Sequence, residues 1–170
     1  AFTGSAKVIL PGSMDGFPGV DPAMTPSFES EAQEYKNMSI GQSTEINRVY
    51  TMADIQEYAD LTGDTNPVYL DDEYARSMGF AGTIIPAPLM SGIFSWILGT
   101  KLPGRGTNWM KQAVHIAAPA YLDEELTTRM EIVRLRPEKD LVNLNGVVLN
   151  SKGQTLCQCT SLVLVKDLEL

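Results

Sequence analysis

The chain has 170 residues, of which 44% are hydrophobic and 20% charged, the size and balance of one globular domain with a substantial core. A formal net charge of −8 excludes a general nucleic-acid binder, which needs a basic face to displace counterions. No stretch approaches the ~20 apolar residues that span a bilayer, and the N-terminus lacks the basic-then-apolar pattern of a signal peptide, so a membrane-free, cytoplasmic protein is expected.

Residues 1–36 show no sustained periodicity. Pro11, Gly12, Gly16, Pro18, Gly19, Pro22 and Pro26 interrupt any helix or central strand. This part reads as an irregular N-terminal extension, and the domain is expected over residues 37–170. Ser43 to Tyr50 reads as a first strand. Thr51 then suits a helix N-cap, with Asp54 three residues on, where an acid favours the helix dipole. Ile55, Tyr58, Ala59 and Leu61 give that helix its apolar stripe, and Gly63 can end it in a left-handed conformation.

Asp64 to Pro67 is expected as a loop, because proline disfavours helical backbone at Asn66. A short helical turn over residues 72–77 follows, closed by Gly79. Pro86 and Pro88 introduce an apolar helix running to about Thr100, whose hydrophobicity on most sides predicts burial. Beyond Gly106, the segments 109–118, 126–135, 141–149 and 155–165 read as strands separated by turn residues. The cysteines, Cys157 and Cys159, sit two apart on the last of these. They are too few for a disulfide framework and lack zinc-site spacing, so two buried thiols and no metal are expected. One buried helix followed by antiparallel strands is an α+β pattern, with the sheet wrapped around the helix.

The stretch Tyr58-Ala59-Asp60-Leu61-Thr62-Gly63-Asp64-Thr65-Asn66-Pro67-Val68-Tyr69, with Ala75 six positions later, resembles the hydratase signature of the MaoC-like, R-specific enoyl-CoA hydratase family. That signature runs aromatic, Ser/Thr-Gly-Asp-x-Asn-Pro, aliphatic, His. Every element matches except the histidine, which is replaced by Tyr69. The resemblance covers about residues 37–166, including the Leu98 to Gly104 segment and Ala118-Pro119-Ala120-Tyr121.

The resemblance implies a single hot-dog domain, a homodimer or a dimer with a homologous subunit, and an acyl-CoA or acyl-carrier thioester as substrate, with no separate cofactor. It implies reversible hydration of a trans-2-enoyl thioester to the R-3-hydroxyacyl form. Carried over by position, Asp64 is the water-holding aspartate and Asn66 shapes its loop. The backbone N–H of Ala87 is the oxyanion donor, and Ser95 is the helix serine. Lys101 and Arg105, with Lys111 nearby, are candidates for the CoA phosphates.

The chemistry explains why Tyr69 matters. Hydration needs a base for water, a proton for the α-carbon and donors for the thioester oxygen. Imidazole titrates near neutrality, whereas a phenol has a reference pKa near 10 and is a donor rather than a base. His115, the sole histidine, lies mid-strand and far in sequence from Asp64. Two functions therefore stand: a hydro-lyase built on Asp64, or a non-catalytic acyl-binding subunit whose partner supplies the Asp/His pair. A thioesterase on the same fold has no specific feature to support it.

Overall fold

Alternating apolar and polar residues in the second half of the chain build one antiparallel sheet. A computed structural model describes residues 32–169; the extension expected over residues 1–36 lies mostly outside this range. The elements are β1 (Glu34–Tyr35), β2 (Met38–Ser39), β3 (Ser43–Val49), α1 (Met52–Thr62), α2 (Pro67–Leu70), α3 (Asp72–Ser77), α4 (Ala87–Thr100), β4 (Asn108–Ile116), β5 (Glu125–Arg136), β6 (Leu141–Leu149) and β7 (Thr155–Leu164). The five long strands are ordered β3-β5-β6-β7-β4, and every neighbouring pair is antiparallel.

Period-two patterning gives this sheet an inner face. Val142, Leu144, Gly146 and Val148 of β6 are buried, and the residues between them are only half-buried. Cys157, Cys159, Ser161 and Val163 of β7 lie beside them on the same face. Helix α4 seats against this surface with Met90, Ile93, Phe94, Ile97 and Leu98, the i, i+3, i+4, i+7, i+8 spacing of one helical face. A curved antiparallel sheet around a central helix is the hot-dog fold.

Three local expectations are corrected. Helix α4 is buried on one face only: Gly92, Ser95 and Trp96 are exposed, because a single five-stranded sheet covers only one side of it. Leu61 is 87% exposed, since six residues after Ile55 it has rotated off the face that Ile55 and Ala59 share. The folded domain also begins before residue 37. Tyr35 packs on the core, Ala32 bridges Leu135, and the Lys36 ammonium caps the carbonyl of Lys166 at 3.1 Å.

The two cysteines are fully buried on β7. Burial pushes both thiols up to about 12, which keeps them protonated and unreactive at neutral pH. Among the described residues no helix is long and apolar enough to cross a membrane, and no group of three or more His, Cys, Asp or Glu is placed to hold a metal ion.

Candidate active site

The site is built where α1 stops. The Asp54 carboxylate accepts from the Thr51 N–H at 2.7 Å and from its hydroxyl at 2.8 Å, fixing the start of α1. Gly63, at φ 76°, takes the left-handed turn that ends the helix, donating its N–H to Ala59. Asp64 follows directly. Its Oδ1 accepts from the Asn66 N–H at 3.3 Å, and its Oδ2 accepts from the Tyr58 hydroxyl, also at 3.3 Å.

Asn66 in turn caps α2, its Oδ1 accepting from the Val68 N–H at 3.3 Å. Pro67 occupies the first helical position, where its missing N–H costs nothing. Asp64 to Asn66 form the expected loop, and the turn of helix that opens at Pro67 carries Tyr69 half-buried against the core. Asp64, Asn66 and Tyr69 are held within one short capped turn, and Tyr58 joins them from the last turn of α1. The Asp64 and Asn66 bonds are also ordinary turn chemistry; the same geometry serves both purposes.

Electrostatics assign the phenols a role. Burial, and then the nearby negative charge of Asp64, raise the pKa of Tyr69 above the ordinary phenol value. Tyr58 is raised as well, first by burial and then by the Asp64 charge. Both keep their protons at neutral pH, so each is a hydrogen-bond donor and neither is a base.

A second set of bonds positions the start of α4. The Ile84 N–H donates to the carbonyl of Val68 at 3.2 Å, and the Ile85 N–H to Ala120 at 2.8 Å. Asp72 accepts from the Thr83 N–H at 3.1 Å, and the Tyr121 hydroxyl oxygen accepts from the Ala81 N–H at 3.2 Å. Gly82 allows this approach, because a Cβ there would lie 2.8 Å from Asp72 Oδ1. Tyr50, buried beneath, donates to the carbonyl of Leu89 at 3.3 Å. The segment carrying Ala87 is therefore tied through Ile84 to the residue beside Tyr69.

Other sequence candidates lie apart. Ser95 sits two turns along α4 on its exposed face. Lys101 is exposed just past the helix. Arg105 pairs with Glu169 at 2.9 Å and accepts the Glu169 N–H on its carbonyl at 2.9 Å, which draws it toward the C-terminal segment. His115 pairs across from Gln158, between Ile116 and Val114, which oppose the inward-facing Cys157 and Cys159 but are themselves exposed. It therefore points to the sheet face away from α4. The sequence reading missed Asp72, Tyr121 and the Tyr58 hydroxyl. Tyr58 was legible as an apolar stripe position and as the aromatic of the signature but not as a donor to Asp64, and the other two act through backbone partners distant in sequence.

The family model described as "MaoC like domain" matches residues 35–152, more than half of the chain. The chain belongs to the MaoC-like domain family. An (R)-specific enoyl-CoA hydratase from Aeromonas caviae is 27% identical over 118 residues, covering 69% of this chain and 88% of the relative. One from Rhodospirillum rubrum is 32% identical over 108 residues, covering 64% of this chain and 75% of that protein. Among solved structures, the (R)-hydratase from A. caviae involved in PHA biosynthesis superposes with a TM-score of 0.74 at 26% identity, covering 76% of this chain and 98% of that one. This MaoC-like chain is thus similar in sequence and in fold to hydratases.

Proposed function

We propose that this protein is a hydro-lyase acting on a trans-2-enoyl thioester, with Asp64 as its one acid–base group. The observation that carries the reading is the Asp64 carboxylate, held on both oxygens at the end of α1 within a signature shared with hydratases. In the hydration direction Asp64 takes a proton from water as the water oxygen bonds to the β-carbon. The alkene electrons move toward the thioester oxygen, which the Ala87 N–H stabilises. Asp64 then returns its proton to the α-carbon on the same face. One water is added and Asp64 ends as it began. Tyr69 donates a hydrogen bond to the water oxygen and keeps its own proton. Losing a positioned acid–base group costs on the order of 10²–10⁴ in rate, so turnover well below that of a relative with histidine is expected.

The acyl group requires a second subunit. Strand β4 is one edge of the sheet and shows Trp109, Met110, Val114 and Ile116 to solvent, as α4 shows Trp96. Exposed apolar residues on an unpaired edge mark an association surface. A second copy or a homologous subunit would cover it, together with Ser95 on the same open side of α4. Lys101 and Lys111 are the exposed cations left among these candidates for the phosphates of CoA, since Arg105 is engaged by Glu169.

Purified protein and crotonyl-CoA provide the test, followed as loss of the conjugated enoyl absorbance. Slow hydration abolished by Asp64→Asn supports the reading. The absence of histidine at position 69 favours one alternative, an acyl-binding subunit with a catalytic partner. That alternative predicts crotonyl-CoA binding without turnover, unaffected by Asp64→Asn.

A further inference from the structure

The family pattern asks only for an aromatic ring at position 58, and phenylalanine would satisfy it. This chain places a hydroxyl there, and the hydroxyl reaches the one carboxylate of the site. Tyr58 Oη lies 3.3 Å from Asp64 Oδ2. A second link joins the same two residues through Thr62, whose hydroxyl donates to the Tyr58 carbonyl at 2.6 Å and accepts from the Asp64 N–H at 3.2 Å. The left-handed Gly63 makes both links possible by folding Asp64 back over the last turn of α1.

We propose that Tyr58 is a positioning residue for Asp64: its phenol holds Oδ2 while the Asn66 amide holds Oδ1, fixing the carboxylate plane. An ionised carboxylate offers about four lone-pair sites, so two bonds fix it and still leave sites for water. Tyr58 gives up no proton in this role. Its ring is half-buried and stays in place when the hydroxyl is removed, so the hydroxyl can be tested separately from the packing. The inference rests on the hydro-lyase reading above, in which Tyr69 donates to the water and Tyr58 holds the carboxylate.

The experiment uses Tyr58→Phe in the full chain with crotonyl-CoA. Loss of the hydrogen bond that orients the Asp64 carboxylate toward the water it must deprotonate predicts a fall in kcat on the order of tenfold. KM should change by no more than about twofold, because the acyl group is not touched, and the unfolding midpoint should stay unchanged. A second readout does not need turnover: with ring-labelled tyrosine, the Tyr58 ζ-carbon resonance should move when Asp64→Asn is introduced. Full kcat in Tyr58→Phe, or a Tyr58 resonance indifferent to Asp64→Asn, overturns the proposal. An inactive wild type whose Tyr58 resonance still follows Asp64 overturns the hydro-lyase reading and leaves the pairing of the two residues supported.

Discussion

Gly146 is the position where one methyl group should be felt most sharply. It lies mid-strand on β6, opposite Met130 of β5 and Cys159 of β7. A Cβ there would sit 2.6 Å from Cys159 Sγ and 2.8 Å and 3.0 Å from two ring carbons of Phe94. Neither neighbour has room to withdraw, because Phe94 and Cys159 are both fully buried and a close-packed interior yields only by straining rotamers. Backbone strain is not the issue, since Gly146 has no positive φ. Overpacking of this kind costs about 1–3 kcal/mol, which for a chain of this size lowers Tm by roughly 2–4 °C per kcal/mol. The assay is urea unfolding of Gly146→Ala at fixed protein concentration. The double variant Phe94→Leu/Gly146→Ala should recover part of the loss, as contacting residues couple non-additively. An unchanged midpoint in the single variant would show that α4 does not press on β6 as described.

Tyr69→His should raise turnover on crotonyl-CoA by restoring imidazole beside Asp64, on the order of tenfold or more; a fall in rate would mean that the phenol has an acid–base role of its own. Light scattering should find a dimer at micromolar concentration, and Val114→Asp with Ile116→Asp on the exposed edge of β4 should give a monomer without loss of fold. Tyr50 is buried and its phenol is pushed up to about 12, chiefly by desolvation. A raised folded-state pKa stabilises fully below the ordinary value near 10 and is lost as pH climbs through that interval. Alkaline unfolding curves should therefore show Tyr50→Phe with a shallower loss of stability than wild type between pH 10 and 12.

How far the sequence could be read depended on range. Strand boundaries, the αL position of Gly63 and the inward pairing of the cysteines follow from periodicity and local backbone chemistry, which act over a few residues. The Asp64 turn was legible for the same reason, since Asp-x-Asn-Pro sets its own hydrogen bonds. Features that depend on packing were hidden. Hydrophobicity on most sides made α4 read as buried, yet Gly92, Ser95 and Trp96 face outward, because burial counts only what one protomer's sheet can cover. Leu61 was assigned to the stripe on hydrophobicity, although its angular position excluded it. Arg105 gave no sign of its Glu169 partner, which lies 64 positions later in the chain and is met only through folding.

The prolines that flank Ala87 have a practical consequence for measurement. A helix ordinarily opens with several unbonded amides that broaden and shift together when an anion or carbonyl arrives. Here Pro86 and Pro88 carry none, so Ala87 is spectroscopically isolated at the mouth of α4. Nitrogen-15 alanine labelling would give one amide resonance at the site with no adjacent amide on either side. Its chemical shift would report directly on whether a thioester oxygen has docked, separating occupancy from turnover.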